Sequence, residues 1–350
     1  MTTHTPPAAR ASETVTDASA THPPRRRPPA AVLAAGLTLG LSVVLTLLLV
    51  VFIMPSLASG PHGLPVGVVA DAGRLEQVEA GLEAADPEAF TVTAFDDADE
   101  LAAAIRARDV AGGLVIADDV VHSYVASAGS VAISSTITAT GEAVAAELGL
   151  EARSTDVVPL PAADPTGVGI GGLAFPLVFG GIVPAVAFRA LFPRRLGWAI
   201  GGIVGFSLVG GVVVASVLAF LFGSIAASAF WPVAGAMALG IGALALPLAG
   251  LKEIFGAKGF TIGAMVMMFL GNPLAGIATS AAWLPGWLGA SGQALPPGSA
   301  GTLVRAAAYF GGAGGLGAAL VLTAWTLAGV ALLAIAVRRG HRARSARPAP

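Results

Sequence analysis

The chain has no cysteine. That excludes disulfides, cysteine-ligated zinc, iron–sulfur clusters, thiolate-bound haem and a cysteine nucleophile. Charge is also scarce. Only 11% of the 350 residues are Asp, Glu, Lys or Arg, while 55% are hydrophobic and the mean hydropathy is +0.81. An ordinary soluble domain carries roughly 25% charged residues. A water-soluble globule of this size cannot cover its surface so sparingly, so a polytopic membrane protein is expected rather than a soluble enzyme. There are two lysines, Lys252 and Lys258, and neither follows a glycine. No G-x-x-x-x-G-K-[ST] loop exists, so no P-loop ATPase is built into the chain. The motifs H-E-x-x-H and G-x-S-x-G are absent as well. His4, His22, His62, His122 and His341 are scattered without ligand spacing. No catalytic residue, metal site, cofactor or nucleic-acid partner is expected for this chain.

What is present falls into regions. Residues 1–29 are polar, rich in Pro and Thr, and end in Arg25-Arg26-Arg27, which reads as a disordered tail. Residues 30–54 carry no charge and exceed the ~20 residues needed to cross a bilayer. This apolar run is longer than that of a signal peptide, so an uncleaved first transmembrane helix is expected. Residues 60–165 hold 18 of the 21 acidic residues but only four basic ones, Arg74, Arg106, Arg108 and Arg153, for a net charge of −14.

Within that acidic segment, strand and helix patterns alternate. Strands are predicted at Pro65–Ala70, Phe90–Phe95, Gly112–Ala117 and Ser130–Thr138. Helices are predicted at Arg74–Ala85, from a capping box at Asp97–Glu100, and at Gly141–Ala152. The expected fold is a small α/β domain of about 100 residues, enough for one core. From 168 to 337 the chain is apolar again. Five further spans are predicted near 168–189, 197–222, 230–250, 260–282 and 313–337, followed by a basic tail at 338–350. The predicted fold class is thus an α-helical polytopic membrane protein of six transmembrane helices, with a small α/β domain between the first and second.

Basic residues then set an orientation. Arg25 to Arg27 precede span one. Arg189, Arg194 and Arg195 lie between spans two and three, Lys252 and Lys258 between four and five, and Arg338, Arg339, Arg342, Arg344 and Arg347 follow span six. Six crossings place all of these on one side. The termini are then cytoplasmic and residues 60–165 extracytoplasmic. Arg305 falls outside, either solvated or touching anionic headgroups.

Several motifs have plain readings. Gly167 to Gly172 matches G-x-G-x-x-G, but a Pro-containing linker precedes it and Arg189 stands where the ribose-binding acid belongs. It reads as a helix start. The pairs Gly36/Gly40, Gly201/Gly205 and Gly311/Gly315 have the spacing of close helix packing within the chain. Pro176, Pro184, Pro247 and Pro273 fall inside predicted spans and kink them. Asn272 is a polar side chain at membrane depth, either a pathway contact or a packing hydrogen bond. Trp198, Trp231, Trp283 and Trp287 fall at predicted boundaries as an aromatic belt. Residues 283–312 are too broken to span, and Thr302–Phe310 is predicted to be a short helix at the outer surface. Asp96, Asp97, Asp99 and Glu100 read as a helix cap rather than a cation site. Spans two to six lack Asp, Glu and His apart from Glu253 at an edge, which argues against an ion-coupled pump.

The order of parts, one span, an external α/β domain and five more spans, resembles the permease subunits of type-2 ABC exporters and the related phage-infection-protein-like membrane proteins. Ala98–Val121, the segments Tyr124–Gly129 and Ser130–Thr138, and Gly271-Asn272-Pro273-Leu274-Ala275-Gly276 with Leu295-Pro296-Pro297-Gly298 carry the likeness. The first cytoplasmic loop, Phe188–Leu196, is shorter than the coupling helix of many such permeases. The resemblance implies a homodimer or heterodimer of permeases in a plasma membrane. A separate cytoplasmic ATPase would supply ATP-driven motion and export a hydrophobic or envelope-related substrate. Candidate ATPase contacts are Arg189, Arg194 and Arg195 in the first loop and Lys252, Glu253 and Lys258 in the second. Asn272 is the candidate pathway residue. The alternative is a membrane scaffold or receptor that transports nothing and whose acidic domain binds an envelope partner.

Overall fold

The computed structural model describes residues 1–2 and 29–345; the tail with Arg25 to Arg27, and Arg347, lie outside the described residues. The chain divides into two units, Met1–Leu47 and Leu48–Pro350. The first contains most of helix α1 (Ala30–Leu57), which has no charged residue. At 1.5 Å per residue, its 28 residues extend about 42 Å, more than a hydrocarbon core. Its hydroxyls are satisfied locally, Ser42 donating to Thr38 O and Thr46 to Ser42 O, both at 2.9 Å. A helix in lipid needs that internal pairing.

In the second unit, β1 (Leu64–Val69), α2 (Ala72–Ala85), β2 (Phe90–Ala94), α3 (Ala98–Ala107), β3 (Gly113–Ile116), β4 (Val120–Val125), α4 (Val131–Leu148) and β5 (Glu151–Asp156) build one domain. The sheet order is β2-β1-β3-β4-β5; β1 runs parallel to β2 and β3, β3 and β4 are antiparallel, and β4 is parallel to β5. Leu64, Val68, Leu114, Val121, Ile133 and Ile137 fill one side of the sheet. Leu101 and Ile105 of α3 fill the other with Val110. Gly67 admits α3 at that closeness, because a Cβ there would collide with Leu101 Cδ1.

The first three predicted strands are found, as is the cap of α3: Asp97 Oδ1 accepts the Glu100 N–H at 2.8 Å and Glu100 Oε2 accepts Asp96 N–H at 3.1 Å. Ser130–Thr138 is not a strand. Ser130 Oγ accepts the Ile133 N–H and caps a single helix that runs to Leu148. The buried positions Ile133, Ile137, Gly141 and Ala145 recur every four residues, so the helical period wins over the apparent alternation. Val120–Val125 (β4) is a strand that the sequence reading does not contain, and Tyr124–Gly129 is its end and the turn after it. The strand missed at the edge, β5, is exposed throughout and is held by its ladder to β4.

The helical half follows: α5 (Val168–Gly171), α6 (Ala174–Leu191), α7 (Leu196–Ser216), α8 (Phe230–Val266), α9 (Gly286–Gln293), α10 (Pro296–Tyr309) and α11 (Leu316–Ser345). Five stretches are long and apolar enough to cross a membrane: Ala30–Pro55, Val168–Leu191, Leu196–Leu221, Ala227–Gly271 and Leu316–Arg339. This suits a multi-pass membrane protein. Helix α8 is central and packs on α6, α7, α10 and α11. Its first arm is buried almost without interruption from Val233 to Gly250. Small residues permit this. A Cβ on Gly211 would strike the Ala234 carbonyl, and one on Gly329 would meet Pro247 N at 2.5 Å. Of the predicted packing glycines, Gly36, Gly40, Gly201 and Gly205 have nothing within 4 Å and Gly311 belongs to a turn with φ 60°, while Gly315 does pack closely, a Cβ there lying 3.1 Å from Ala306 Cβ and 3.2 Å from Leu303 Cδ1.

The 45-residue stretch Ala227–Gly271 is not one straight helix. Gly256 has φ 67° and ψ −155°. Beyond it, a Cβ on Gly263 would lie 2.8 Å from Leu251 Cδ1 and 2.9 Å from Leu248 Cδ2. On a straight helix those residues stand about 18 and 22 Å away along the axis. The two arms therefore fold back on each other at Gly256. The second arm ends in a π turn at Met267–Gly271. The predicted span 260–282 thus stops at Gly271, and Pro273 lies in the turns that follow rather than inside a helix.

Pro296 and Pro297 do not break the backbone; they occupy the first turn of α10, where a missing N–H costs nothing. Nor does α10 lie on a surface. Ala300 packs beside Gly240 of α8, and Ser299, Val304 and Arg305 are buried.

Candidate functional site

Charged groups gather where α6 hands over to α7 and where α8 reverses. Arg189, in the last turn of α6, grips Glu253 of α8 with two nitrogens: Nε to Oε1, and Nη2 to Oε2 at 3.1 Å. Its Nη1 donates to the Phe192 carbonyl at 2.9 Å. The guanidinium fork thus closes the C-terminus of α6 and ties the 192–195 loop to α8. Both side chains are largely withdrawn from solvent, 23% and 16% exposed, which lifts this pair above an ordinary surface salt bridge. Lys252 Nζ lies 5.7 Å from the centre of the Phe260 ring, across the reversal. Arg194, Arg195 and Lys258 are exposed. Of the six predicted contact residues, the fold therefore joins Arg189 with Glu253, stacks Lys252, and leaves three cations exposed.

Asn272 follows the π turn at the end of α8 and is half-buried, with its Oδ1 unpaired. It stands apart from a larger space that the sequence did not disclose. A cavity of about 660 Å³ lies between the start of α6 and the end of α7, lined by Leu173, Pro176, Val213, Val217, Leu218 and Phe222. Its polar edge is Asp164 and Ser224. Asp164 is 8% exposed, and its carboxylate accepts Val168 N–H at 2.9 Å and Gly169 N–H at 2.8 Å. The glycine-rich stretch is therefore a helix start, as expected, with an acidic anchor. The Ser224 Oγ is buried without a partner, while Tyr309 Oη donates to the Ser224 carbonyl at 2.9 Å. Tyr309, on α10 and outside the five long apolar helices, is pushed up to about 12 by burial and by Asp164, which keeps its hydroxyl a donor. Gly169 must lack a side chain, since a Cβ would overlap Ser224. A π turn at Val217–Leu221 swells α7 along this wall. The sequence signal was Asp164-Pro165 just before Gly167, legible as a turn but not as the rim of a cavity.

Arg305 corrects the expectation of a solvated cation. It is 7% exposed and donates to the Ile277 carbonyl. Burial, then the neighbouring charge of Arg108, holds it down to about 10. Among the described residues, no group of three or more His, Cys, Asp and Glu stands together to hold a metal. No family model matches the chain, and neither a curated protein nor a solved structure matches it.

Proposed function

We propose that the chain is the membrane-spanning permease subunit of an ABC-type exporter. It crosses a plasma membrane six times and acts as a dimer with a separate cytoplasmic ATPase. The observation that carries this reading is the reversal of α8 at Gly256 together with the Arg189–Glu253 pair. Counted as two crossings, the arms of α8 put Lys252, Glu253 and Lys258 at the same end as Arg189, Arg194 and Arg195. The positive-inside rule assigns that end to the cytoplasm, and the acidic α/β domain to the outside.

The mechanism follows from how force enters. An ATPase that closes against the exposed Arg194, Arg195 and Lys258 moves the 192–195 loop. The rigid Arg189–Glu253 fork passes that displacement to α8, the helix on which α6, α7, α10 and α11 pack. The apolar cavity beside Asp164 and Ser224 is the natural place for a hydrophobic substrate with a polar end. The open row at Gly201 and Gly205 on α7 allows a second subunit to approach closely.

The test uses the absence of cysteine. Single cysteines at Ala72 and at Ala257 are labelled in intact cells with an impermeant maleimide, and labelling only at Ala72 is expected. The full chain is then purified from its host by tag. An associated ATPase whose activity falls with Arg194→Gln/Arg195→Gln supports the exporter. Labelling at Ala257, or unchanged transport in that variant, counts against it.

A further inference from the structure

The cavity of about 660 Å³ between the start of α6 and the end of α7 has two unlike ends. Its walls are apolar, with Leu173 and Pro176 on one side and Val213, Val217 and Leu218 on the other. Val168–Pro176 and Val213–Leu221 each advance about 12 Å along the chain's helices. Val168, Val213 and Leu221 are more than half exposed. They belong to two of the long apolar stretches, Val168–Leu191 and Leu196–Leu221, so the space opens toward lipid.

The other end is an edge of acceptors. Asp164 Oδ1 accepts Val168 N–H and Oδ2 accepts Gly169 N–H. An ionised carboxylate offers about four acceptor sites, so about two stay free. No ion pair among the described residues includes Asp164. Arg305, on α10, donates to the Ile277 carbonyl instead. Ser224 stands beside Asp164: a Cβ on Gly169 would overlap Ser224 Oγ and lie 2.8 Å from Asp164 Oδ2, so the two oxygens flank one point. Ser224 is 1% exposed and its Oγ has no hydrogen-bond partner. A carboxylate withdrawn from water is costly unless a cation meets it.

We propose that this cavity binds a single-tailed amphiphile with a protonated amino head, its tail between α6 and α7 and its ammonium at Asp164 and Ser224. An ammonium has three donors and no acceptor, which matches the free sites on Asp164 and the unpaired Ser224 oxygen. An alcohol head brings one donor. A carboxylate or phosphate head faces Asp164 with like charge. The volume lies within the ~300–1,000 Å³ of small-molecule sites. The inference names the cargo of the exporter and rests on that reading for the direction of movement; binding itself needs no ATPase.

Three probes share a decyl tail carrying a diazirine and end in an amine, an alcohol or a carboxylate. Each is photolysed with the purified full chain in phosphatidylcholine nanodiscs at pH 7, where an alkyl ammonium is charged. Labelled peptides are mapped by mass spectrometry. The amine should label residues 173–176 and 213–218 saturably and roughly tenfold more than the alcohol, with the carboxylate at background. Asp164→Asn keeps an acceptor for the start of α5 and should lower amine labelling roughly tenfold without lowering that of the alcohol. Should that variant not fold, Ser224→Ala removes an oxygen that has no partner, keeps the fold, and should lower amine labelling several-fold. Equal labelling by all the heads, preference for the carboxylate, or amine labelling unchanged in the variants would overturn the site. So would loss of labelling when phosphatidylethanolamine replaces part of the phosphatidylcholine, which gives the cavity to a membrane lipid. Asp164-dependent amine labelling of a chain that purifies without an ATPase keeps the site and removes the exporter. An associated ATPase with no head preference at the cavity keeps the exporter and removes the site.

Discussion

Gly256→Ala decides whether α8 reverses. Gly256 has φ 67° and ψ −155°, a backbone region open essentially to glycine alone. An added Cβ there meets nothing within 4 Å. Steric collision therefore contributes nothing, and the whole cost is conformational, about 1–3 kcal/mol. If residues 227–271 formed one continuous helix, the same change would place alanine in a helix interior and stabilise by about 0.5–1 kcal/mol. The two architectures thus predict opposite signs. Gly201→Ala is the internal control: its site is open, its backbone helical, and a gain of about 0.5–1 kcal/mol is expected. The assay is unfolding of the purified full chain in mixed micelles, followed by tryptophan fluorescence. On the scale of domains of ~150–250 residues, Gly256→Ala lowers Tm by roughly 2–12 °C. A Gly256→Ala protein at or above the wild-type stability, alongside a stabilised Gly201→Ala, refutes the reversal.

Other expectations rest on separate contacts. Glu253→Gln removes the charge facing Arg189 and costs about 1–3 kcal/mol; a double-mutant cycle with Arg189→Gln should give a coupling well above that of an exposed pair, and additive losses would show that the fork contributes little. Gly169→Ala drives a methyl into Ser224 and costs about 1–3 kcal/mol by overpacking. Ser224→Gly removes the nearer obstacle and leaves Asp164 Oδ2 at 2.8 Å, so the double variant should recover part of the loss; no recovery would discount the contact with Ser224. His122 is held below its ordinary 6.5 by burial and then by Arg153. The unfolded chain therefore binds more protons near and below pH 6.5, and stability falls as pH drops through that window. His122→Gln should flatten this dependence, which a pH series of melts would reveal.

Some of this was legible in order along the chain. The apolar runs announce themselves because hydropathy is a local sum, and Pro65–Ala70, Phe90–Phe95 and Gly112–Ala117 read correctly because β-branched runs bounded by turns have few other uses. Ser130–Thr138 misled because Val131, Ile133, Ser135 and Ile137 satisfy alternation while Ile133, Ile137, Gly141 and Ala145 satisfy the helical period. The serine cap, not composition, settled it. β5 could not be read at all, since its six exposed residues gain their conformation from the partner strand. At the charged end, sequence supplied all six residues but not their division into a locked pair and open cations. At the cavity, Asp164 and Ser224 stand 60 positions apart and meet only through the fold.

Composition and charge order by themselves determined that this is a membrane-type chain with an acidic domain inserted after its first apolar helix. Both follow from transfer free energies that each segment carries wherever it goes. The tertiary structure alone decided that α8 turns back at Gly256, that α10 is buried, and that Asp164 and Ser224 meet at the edge of one cavity. A residue's dihedral angles and its desolvation are set by what packs against it from elsewhere in the chain, and no local sum contains that information.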